Sequence, residues 1–220
     1  MPGKFSNLNE LLRWRAENNS SQLALTFLKD GKTEEGNWTY EDLARHARSI
    51  AAFLQSSNST TQPVLLLYPP GLDFIAAFWG CLVAGAIAVP VYPPRSNRGL
   101  LRLKGVIQDS QAGTVLTSTQ TLAKMKAFAA DDPQLSSLRY LATDNLEPGR
   151  VHDWKEPRVT GESIAFLQYT SGSTAKPKGV IVTHSNLLEN EARIQEAFRQ
   201  TEKSVIVGWL PLSYRAYPSQ

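Results

Sequence analysis

Small and hydroxylated residues crowd positions 169–180, where the chain reads Y-T-S-G-S-T-A-K-P-K-G-V. The apolar run I-A-F-L at 164–167 precedes this stretch, and the β-branched run V-I-V-T at 180–183 ends it. Small residues in a row cannot build a core, but their hydroxyls and backbone N–H groups can closely approach a polyanion. Lys176 and Lys178 add positive charge near its end. The pattern therefore predicts a phosphate-binding loop between two strands.

The spacing of the lysines excludes the Walker A type of phosphate loop. In that motif a Gly-Lys-Ser/Thr sequence closes the loop and opens a helix. Here the lysines flank Pro177, and a strand-like run follows them. A Ser/Thr-rich surface turn is the alternative interpretation of such a stretch. If residues 169–180 bind a nucleotide phosphate, they must therefore do so in a loop of a type other than Walker A.

Residues 169–180 resemble, in order, the phosphate-loop signature of the adenylate-forming, or AMP-binding, enzymes. That signature usually reads Y-T-S-G-S-T-G-x-P-K-G-V, and the superfamily includes acyl-CoA synthetases, peptide-synthetase adenylation domains and luciferases. Ala175 stands where glycine is commonest, and its Cβ restricts conformations with φ > 0. The Lys-Pro-Lys-Gly sequence that follows is intact.

Other segments narrow the resemblance to the fatty acyl-AMP ligases. Segment 64–95 is similar to them, most diagnostically in L-Y-P-P-G at 67–71 and Y-P-P-R at 92–95. The residues F-L-Q at 166–168 and W-L-P-L at 209–212 are similar as well. The resemblance implies an α/β fold of parallel-sheet βαβ layers with helices on both faces, part of the large N-terminal domain of an adenylate-forming enzyme.

The resemblance also implies a two-step reaction. A fatty acid attacks the α-phosphate of ATP, and the acyl group of the resulting acyl-adenylate passes to an acyl carrier protein or to a polyketide or peptide synthetase. Hydrogen-bond donors and Mg²⁺ must stabilise the charge of the leaving pyrophosphate. The residues expected to bind the phosphates are Thr170, Ser171, Gly172, Ser173, Thr174 and Lys178. We assign no catalytic residue and no metal ligand in this chain.

The resemblance ends at Leu212. Residues 1–212 correspond to a partial adenylation domain, and residues 213–220 form a divergent tail where the family continues Y-H-D-M-G. The adenine- and ribose-binding segments of the family, its hinge and its catalytic lysine come later in sequence. We therefore expect a fragment that holds phosphates but is inactive alone. The alternative is a non-catalytic module that binds a carrier protein or a synthetase subunit.

The composition is that of a globular domain. Of the 220 residues, 42% are hydrophobic and 20% are charged, and the net charge is only +3, which argues against nucleic-acid partners. The single cysteine, Cys81, excludes an internal disulfide and favours a reducing, cytoplasmic location. Residues 74–94 carry no charge, but Gly80, Gly85 and three prolines interrupt the run, so we expect no membrane span.

Alternating patterns predict the elements that position the loop. Helices are expected at 40–55, where the fold opens, and at 72–84, 99–110, 119–130 and from Ser185 or Asn186 to Gln200. Strands are expected at 64–67, 86–92, 113–117, 138–142, 164–168, 178–183 and 204–209, the last one buried. Thr39 with Asp42 resembles a helix-capping pair, and residues 144–163 a surface connection. The alternation is typical of parallel βαβ units.

The remaining candidate residues favour structural interpretations. His184 could orient a phosphate, but its place beside a helix start favours a capping or surface histidine. His46 and His152 lack a second ligand at metal spacing, so no zinc site is expected. Three aromatic residues of one predicted helix are expected in the core rather than along an acyl tunnel: Phe74, Phe78 and Trp79.

Overall fold

The computed structural model describes residues 5–60, 62–146, 148–170 and 177–208. Its helices are α1 (Leu8–Asn18), α2 (Tyr40–Ser56), α3 (Leu72–Ala84), α4 (Asn97–Ser110), α5 (Thr119–Ala129), α6 (Pro133–Ser136) and α7 (His184–Ala197). Its strands are β1 (Leu23–Leu28), β2 (Glu34–Thr39), β3 (Pro63–Leu67), β4 (Ile87–Val91), β5 (Thr114–Thr117), β6 (Arg139–Ala142), β7 (Ile164–Thr170) and β8 (Lys178–Thr183). A short 3-10 helix covers Pro148–Asp153. The W-L-P-L segment at 209–212 and the tail at 213–220 lie outside the described residues.

Six strands form one central sheet, in the order β6-β5-β3-β4-β7-β8. The first five strands are parallel, which confirms the expected α/β class, whereas β8 pairs antiparallel with β7. A parallel return needs a crossover of a dozen or more residues. Only residues 171–177 separate β7 from β8, so the two strands form a hairpin.

Helices cover both faces of the central sheet. Leu66 of β3 packs with Ile50 of α2 and Phe74 of α3, whereas the adjacent Leu65 packs with Leu103 of α4 and Met125 of α5. Successive side chains of a strand point to opposite faces, so one buried strand serves two clusters. Each leucine buried in this way contributes about 2 kcal/mol to folding. The apolar run of β3 is therefore what a strand buried on both faces requires.

Local signals set the ends of α2 and α3. The Thr39 hydroxyl accepts a hydrogen bond from the Asp42 backbone N–H at 3.2 Å, and the Asp42 carboxylate accepts one from the Thr39 backbone N–H at 3.1 Å. This capping box confirms the predicted pair. Helix α3 ends at Gly85, whose φ of 75° is a left-handed conformation that glycine adopts at little cost.

The uncharged run at residues 74–94 divides between α3 and β4. Helix α3 has 13 residues, fewer than the about 20 that a bilayer crossing requires. Within the described ranges, no helix combines the length and the apolar character needed to span a membrane. Phe74 is buried, and Phe78 and Trp79 pack against the core beside it, as expected.

The amino-terminal region holds elements that the sequence patterns do not predict. Helix α1 and the β1–β2 hairpin precede α2, so the expectation that α2 opens the fold is wrong. Leu8 and Leu12 of α1 are buried, but the hairpin is a separate two-stranded sheet with exposed side chains, including Leu23. A hairpin with little burial lacks the regular apolar alternation by which strands are predicted.

The connection between β6 and β7 is only partly at the surface. It contains the 3-10 helix and Trp154, which packs against the core. The Trp154 indole N–H donates a hydrogen bond to the Val83 carbonyl at 3.1 Å. The expected surface connection at 144–163 therefore contributes an aromatic anchor to the end of α3.

The strand expected at 204–209 is wrong over its described part. Residues 204–208 form no strand, and the side chains of Val205, Ile206 and Val207 are exposed. A β-branched run becomes a strand when a neighbouring strand pairs with it and its side chains can pack. No described strand pairs with these residues.

The outer strand β8 generates a prediction about self-association. Val180 and Ile181 are 50% and 59% exposed on β8, whose outer side pairs with no described strand, an arrangement that favours edge-to-edge pairing. We expect the 220-residue chain to self-associate as its concentration rises in sedimentation velocity. We expect the double variant Val180→Lys/Ile181→Lys to shift the distribution toward monomer, because charges on an edge strand oppose pairing.

The matched control is Phe198→Lys, which changes an exposed apolar side chain just beyond α7, away from the sheet edge. This variant is expected to self-associate like the unmodified chain. A monodisperse unmodified chain would show that the β8 edge is already protected.

Candidate functional site

The segment 171–176 joins β7 to β8 at the carboxyl edge of the parallel strands. In open α/β sheets, ligands bind outside this edge. Of the residues expected to bind phosphate, the structure describes Thr170 and Lys178. The other four lie outside the described residues: Ser171, Gly172, Ser173 and Thr174. The structure therefore shows how the two ends of the loop are held.

Thr170 and Lys178 are paired across the β7–β8 hairpin. Directly opposed residues of antiparallel strands project to the same face, so these two side chains share one face of the sheet. Tyr169 and Gly179 are the next pair and project to the other face, where α4 lies. Lys178 is exposed and has no ion pair within the described ranges. A hydroxyl and an exposed ammonium group thus lie at the two ends of the loop.

The Tyr169 side chain anchors the carboxyl end of β7 to α4. Its side chain is buried, and its hydroxyl donates a hydrogen bond to Oδ2 of Asp109 at 2.5 Å. Burial, and then the bond to Asp109, raise the pKa of the Tyr169 hydroxyl, so it stays protonated at neutral pH and acts as the donor. The strand that leads into the loop is therefore fixed to the helix beneath it.

Gly179 allows β8 to lie close to the Tyr169 ring. A Cβ at residue 179 would be 2.9 Å from Cζ and 3.0 Å from Oη of Tyr169. Both distances are shorter than a normal van der Waals contact, so any larger residue must displace the ring or the strand. The glycine of the Lys-Pro-Lys-Gly sequence is thus required by packing on the face opposite to Lys178.

Helix α4 contacts both ends of the loop. The Arg102 guanidinium donates a hydrogen bond to the Tyr169 carbonyl at 3.4 Å, just before the loop. A Cβ on Gly105 would be 3.0 Å from Cγ and Cδ of Pro177, just after the loop. Arg102, Gly105 and Asp109 have the i, i+3, i+7 spacing of one helical face, and we call them the loop platform. A rigid helix thereby sets the separation between the two ends of the loop.

The sequence patterns do not predict the loop platform. Its three residues lie 60 or more positions before the loop, and only the fold brings the two segments together. The only signal in the sequence is the helical spacing of Arg102, Gly105 and Asp109. A glycine on that face suggests that another segment packs closely against it. Such a face indicates a contact without naming its partner.

A separate cleft of about 110 Å³ lies at the same edge of the sheet, between α2, the start of α3 and the turn after β6. Burial, and then the charges of Asp144 and Glu35, raise the pKa of Asp73 in this cleft. Burial also lowers the pKa of His46, whose ring stacks on Trp38 with centroids 4.3 Å apart. Among the residues described, no three histidine, cysteine or carboxylate side chains are grouped to hold a metal ion.

His184 is buried, which corrects the expectation of a capping or surface histidine. Thr183 caps α7 instead of Ser185 or Asn186: its hydroxyl accepts a hydrogen bond from the Asn186 backbone N–H at 3.2 Å. The His184 side chain is 2% exposed, and its Nδ1 accepts the Leu8 backbone N–H at 3.2 Å, so the neutral ring carries its proton on Nε2. This histidine lies at the end of β8 remote from the loop and joins α7 to α1.

Known proteins resemble this chain over most of its length. Residues 12–216 match the family described as AMP-binding enzyme. The medium-chain-fatty-acid–[acyl-carrier-protein] ligase JamA of Moorena producens (strain JHB) is 37% identical over 212 residues, which are 94% of this chain and 36% of that protein. The long-chain-fatty-acid–AMP ligase FadD32 of Mycolicibacterium smegmatis is 34% identical over 214 residues, which are 96% of this chain and 34% of that protein.

Solved structures show the same similarity. A fatty acid AMP ligase from Legionella pneumophila has a TM-score of 0.87 and 38% identity to this chain, and the match covers 94% of this chain and 36% of that one. A fatty acyl-adenylate ligase from L. pneumophila, in complex with acyl adenylate and pyrophosphate, has a TM-score of 0.87 and 37% identity, with 96% and 36% covered. The chain therefore spans about a third of the length of the relatives it matches.

The contact between Gly179 and Tyr169 generates a prediction about stability. Gly179→Ala places a methyl group 2.9 Å from the tyrosine ring, so we expect a loss of about 1–3 kcal/mol in the free energy of unfolding. Urea denaturation at neutral pH measures this loss. Gly113→Ala is the matched control, because a Cβ there meets no atom within 4 Å. Equal stability of the two variants would show that the ring and β8 shift without cost.

His184 generates a prediction about pH. Burial lowers the pKa of native His184 to about 4, from 6.5 in the unfolded chain. Below pH 6.5 the unfolded state therefore binds a proton that the native state does not, and stability falls until the pH reaches the native pKa. From pH 7.5 to 5.0 we expect this histidine to account for a loss of about 2 kcal/mol in urea denaturation.

His184→Asn removes the titrating ring while keeping a hydrogen-bond acceptor, so the loss between the two pH values is expected to shrink by most of that amount. His152→Gln changes an exposed histidine and is expected to keep the full loss. An undiminished loss in His184→Asn would assign the pH dependence to other groups.

Proposed function

The chain belongs to the AMP-binding enzyme family, and we propose that it supplies the phosphate-loop portion of a fatty acyl-AMP ligase. In the proposed reaction a fatty acid carboxylate attacks the α-phosphate of ATP, and the acyl group then passes from acyl-adenylate to an acyl carrier protein. The observation that carries the proposal is the β7–β8 hairpin, which places Thr170 and Lys178 on either side of the loop at the carboxyl edge of the sheet. The similarity to JamA supports the choice of substrate and acceptor classes.

The residues of the loop stabilise charge in this proposal. A fatty acid carboxylate is already ionised at neutral pH, so the first step needs no general base. It needs donors that neutralise the two approaching anions and the leaving pyrophosphate. We assign that role to the hydroxyls of Thr170, Ser171, Ser173 and Thr174, the backbone N–H of Gly172 and the ammonium group of Lys178.

Mg²⁺ is the proposed companion of ATP. When bound, it supplies positive charge to the phosphate oxygens and holds them in one geometry. In such sites most Mg²⁺ ligands are phosphate oxygens and water rather than protein side chains. Beside the loop, Thr170 would offer the ion one hydroxyl, whereas the exposed ammonium group of Lys178 has no lone pair for a metal and would bind the phosphate oxygens instead.

The loop platform has a positioning role in the proposal. Donors stabilise developing charge best when they are held in place before the reaction begins. Arg102 and Asp109 fix the strand before the loop, and Gly105 contacts Pro177 after it. The platform therefore limits how far the ends of the loop can separate while phosphate is bound.

A cytoplasmic location is also proposed. Cys81 is a free, fully buried thiol, and burial raises its pKa. A thiol without a disulfide partner is typical of proteins in reducing compartments. ATP and acyl carrier proteins are available in the same compartment.

Binding of Mg·ATP to the 220-residue chain tests the proposal. Lys178→Ala removes one charge-assisted contact, so we expect the affinity measured by isothermal titration calorimetry to fall by about tenfold or more. Lys124→Ala changes an exposed lysine of α5 and is the matched control, expected to bind like the unmodified chain. Equal affinity of the two variants would remove Lys178 from the phosphate site.

The same preparations are to be assayed for fatty-acid-dependent ATP–pyrophosphate exchange. We expect Mg·ATP binding without exchange, because the chain corresponds to about a third of the length of the ligases it resembles. Exchange above background would show that this portion is sufficient for adenylation. Failure to bind Mg·ATP would contradict the assignment of the loop.

A further inference from the structure

Positive charge is concentrated at the start of α4. Four basic residues occur at Arg95, Arg98, Arg102 and Lys104, and no aspartate or glutamate occurs anywhere in residues 74–108. Lys104 is neutralised by an ion pair with Asp132, its Nζ lying 2.7 Å from Oδ2. Arg95 and Arg98 are exposed and form no ion pair with any described residue. These two guanidinium groups are therefore available to a partner.

An exposed leucine lies beside these arginines. Leu101 is 70% exposed, the highest value for a large apolar side chain inside any described helix or strand. Its spacing of three residues from Arg98 places the two side chains on neighbouring positions of the α4 surface. We call Arg98 and Leu101, together with Arg95 just before the helix, the basic face of α4.

Folding of the chain does not account for the basic face. Helix α4 packs against the sheet through the buried Leu103, Val106 and Ile107, and against the ends of the loop through the loop platform. An exposed leucine contributes nothing to that packing, and neither exposed arginine gains a partner from the described residues. Arginine is, however, one of the residue types enriched at protein interfaces.

The position of the basic face relates it to the phosphate loop. Helix α4 begins after β4, at the same carboxyl edge of the sheet from which the loop extends. Arg102, one turn beyond Arg98, donates to the Tyr169 carbonyl just before the loop. A partner seated on the basic face would therefore stand next to the site where an acyl-adenylate would form.

We propose that the basic face of α4 docks an acidic surface helix of the acyl carrier protein that accepts the acyl group. The inference rests on the proposed function, since a carrier is the macromolecule that must approach the acyl-adenylate. The arginines complement an acidic helix, and Leu101 offers a small apolar contact beside Arg98. An anionic membrane suits this face less well, because membrane-surface helices need a wide apolar stripe and α4 exposes one leucine beside its arginines.

Binding of labelled, purified holo acyl carrier protein to the 220-residue chain tests the proposal by fluorescence anisotropy. We expect Arg95→Glu/Arg98→Glu to raise the dissociation constant at least tenfold and Leu101→Ser to raise it severalfold. For the unmodified chain, raising NaCl from about 50 to about 300 mM is expected to weaken binding severalfold, because exposed charge pairs are screened. Loss of carrier binding with a native unfolding midpoint would support the docking surface.

The matched controls lie on α7 and its end. Arg193→Glu/Arg199→Glu reverses two exposed arginines, and Phe198→Ser removes an exposed apolar side chain; both are expected to bind the carrier within twofold of the unmodified chain. Equal binding by the control and basic-face variants would overturn the proposal, as would an unmodified chain that does not bind the carrier. Binding to phosphatidylglycerol vesicles that is lost only in the basic-face variants, without carrier binding, would assign the face to lipid and also overturn it.

Affinity for Mg·ATP separates this proposal from the proposed function. The basic face excludes Arg102 and the loop, so its variants are expected to bind Mg·ATP like the unmodified chain. Normal Mg·ATP binding without carrier binding would reject the docking surface alone. Carrier binding through the basic face without any Mg·ATP binding would reject the phosphate site and leave the docking surface supported.

Discussion

The packing of Tyr169 is the constraint on which the candidate site depends. Its ring lies against the backbone of Gly179, its hydroxyl donates to Asp109, and its carbonyl accepts from Arg102. These contacts fix β7 relative to both β8 and α4 at the residue before Thr170. A loop of small and hydroxylated residues has few side chains with which to pack, so its geometry must come from the elements at its ends. The buried tyrosine therefore serves the site although it faces away from Thr170 and Lys178.

The central sheet explains why polar chemistry is confined to one edge. Strand β3 is buried on both faces of the sheet. A ligand can therefore reach the sheet only where its strands end. The buried titratable groups away from that edge take part in packing and hydrogen bonding within the fold. Burial keeps Cys81 protonated, and burial keeps His184 neutral so that it can accept the Leu8 backbone N–H. These groups support packing, whereas the exposed cations Lys178, Arg95 and Arg98 remain available for binding.

Much of the fold is predictable because its signals are local. The capping pair Thr39 and Asp42 and the left-handed Gly85 set helix ends through contacts within a few residues, and the predicted bounds of α2 and α3 follow. The wrong predictions concern which distant segment of the chain packs against a residue. Residues 204–208 have strand-like composition but no described strand beside them, and His184 looks like a surface histidine until α1 covers it. Composition does not show which distant segment will cover a residue.

By itself, the sequence of residues 169–180 indicated the AMP-binding family, because its small, hydroxylated and lysine residues are adjacent in the chain and match one continuous motif. The alternation of apolar runs likewise determined an α/β fold with both sheet faces covered. Only the tertiary structure decided that α4 supports both ends of the loop and that the basic face of α4 lies beside it. The contacts of the loop platform join residues that are 60 or more positions apart, and such contacts are set by packing across the whole fold rather than by local patterns.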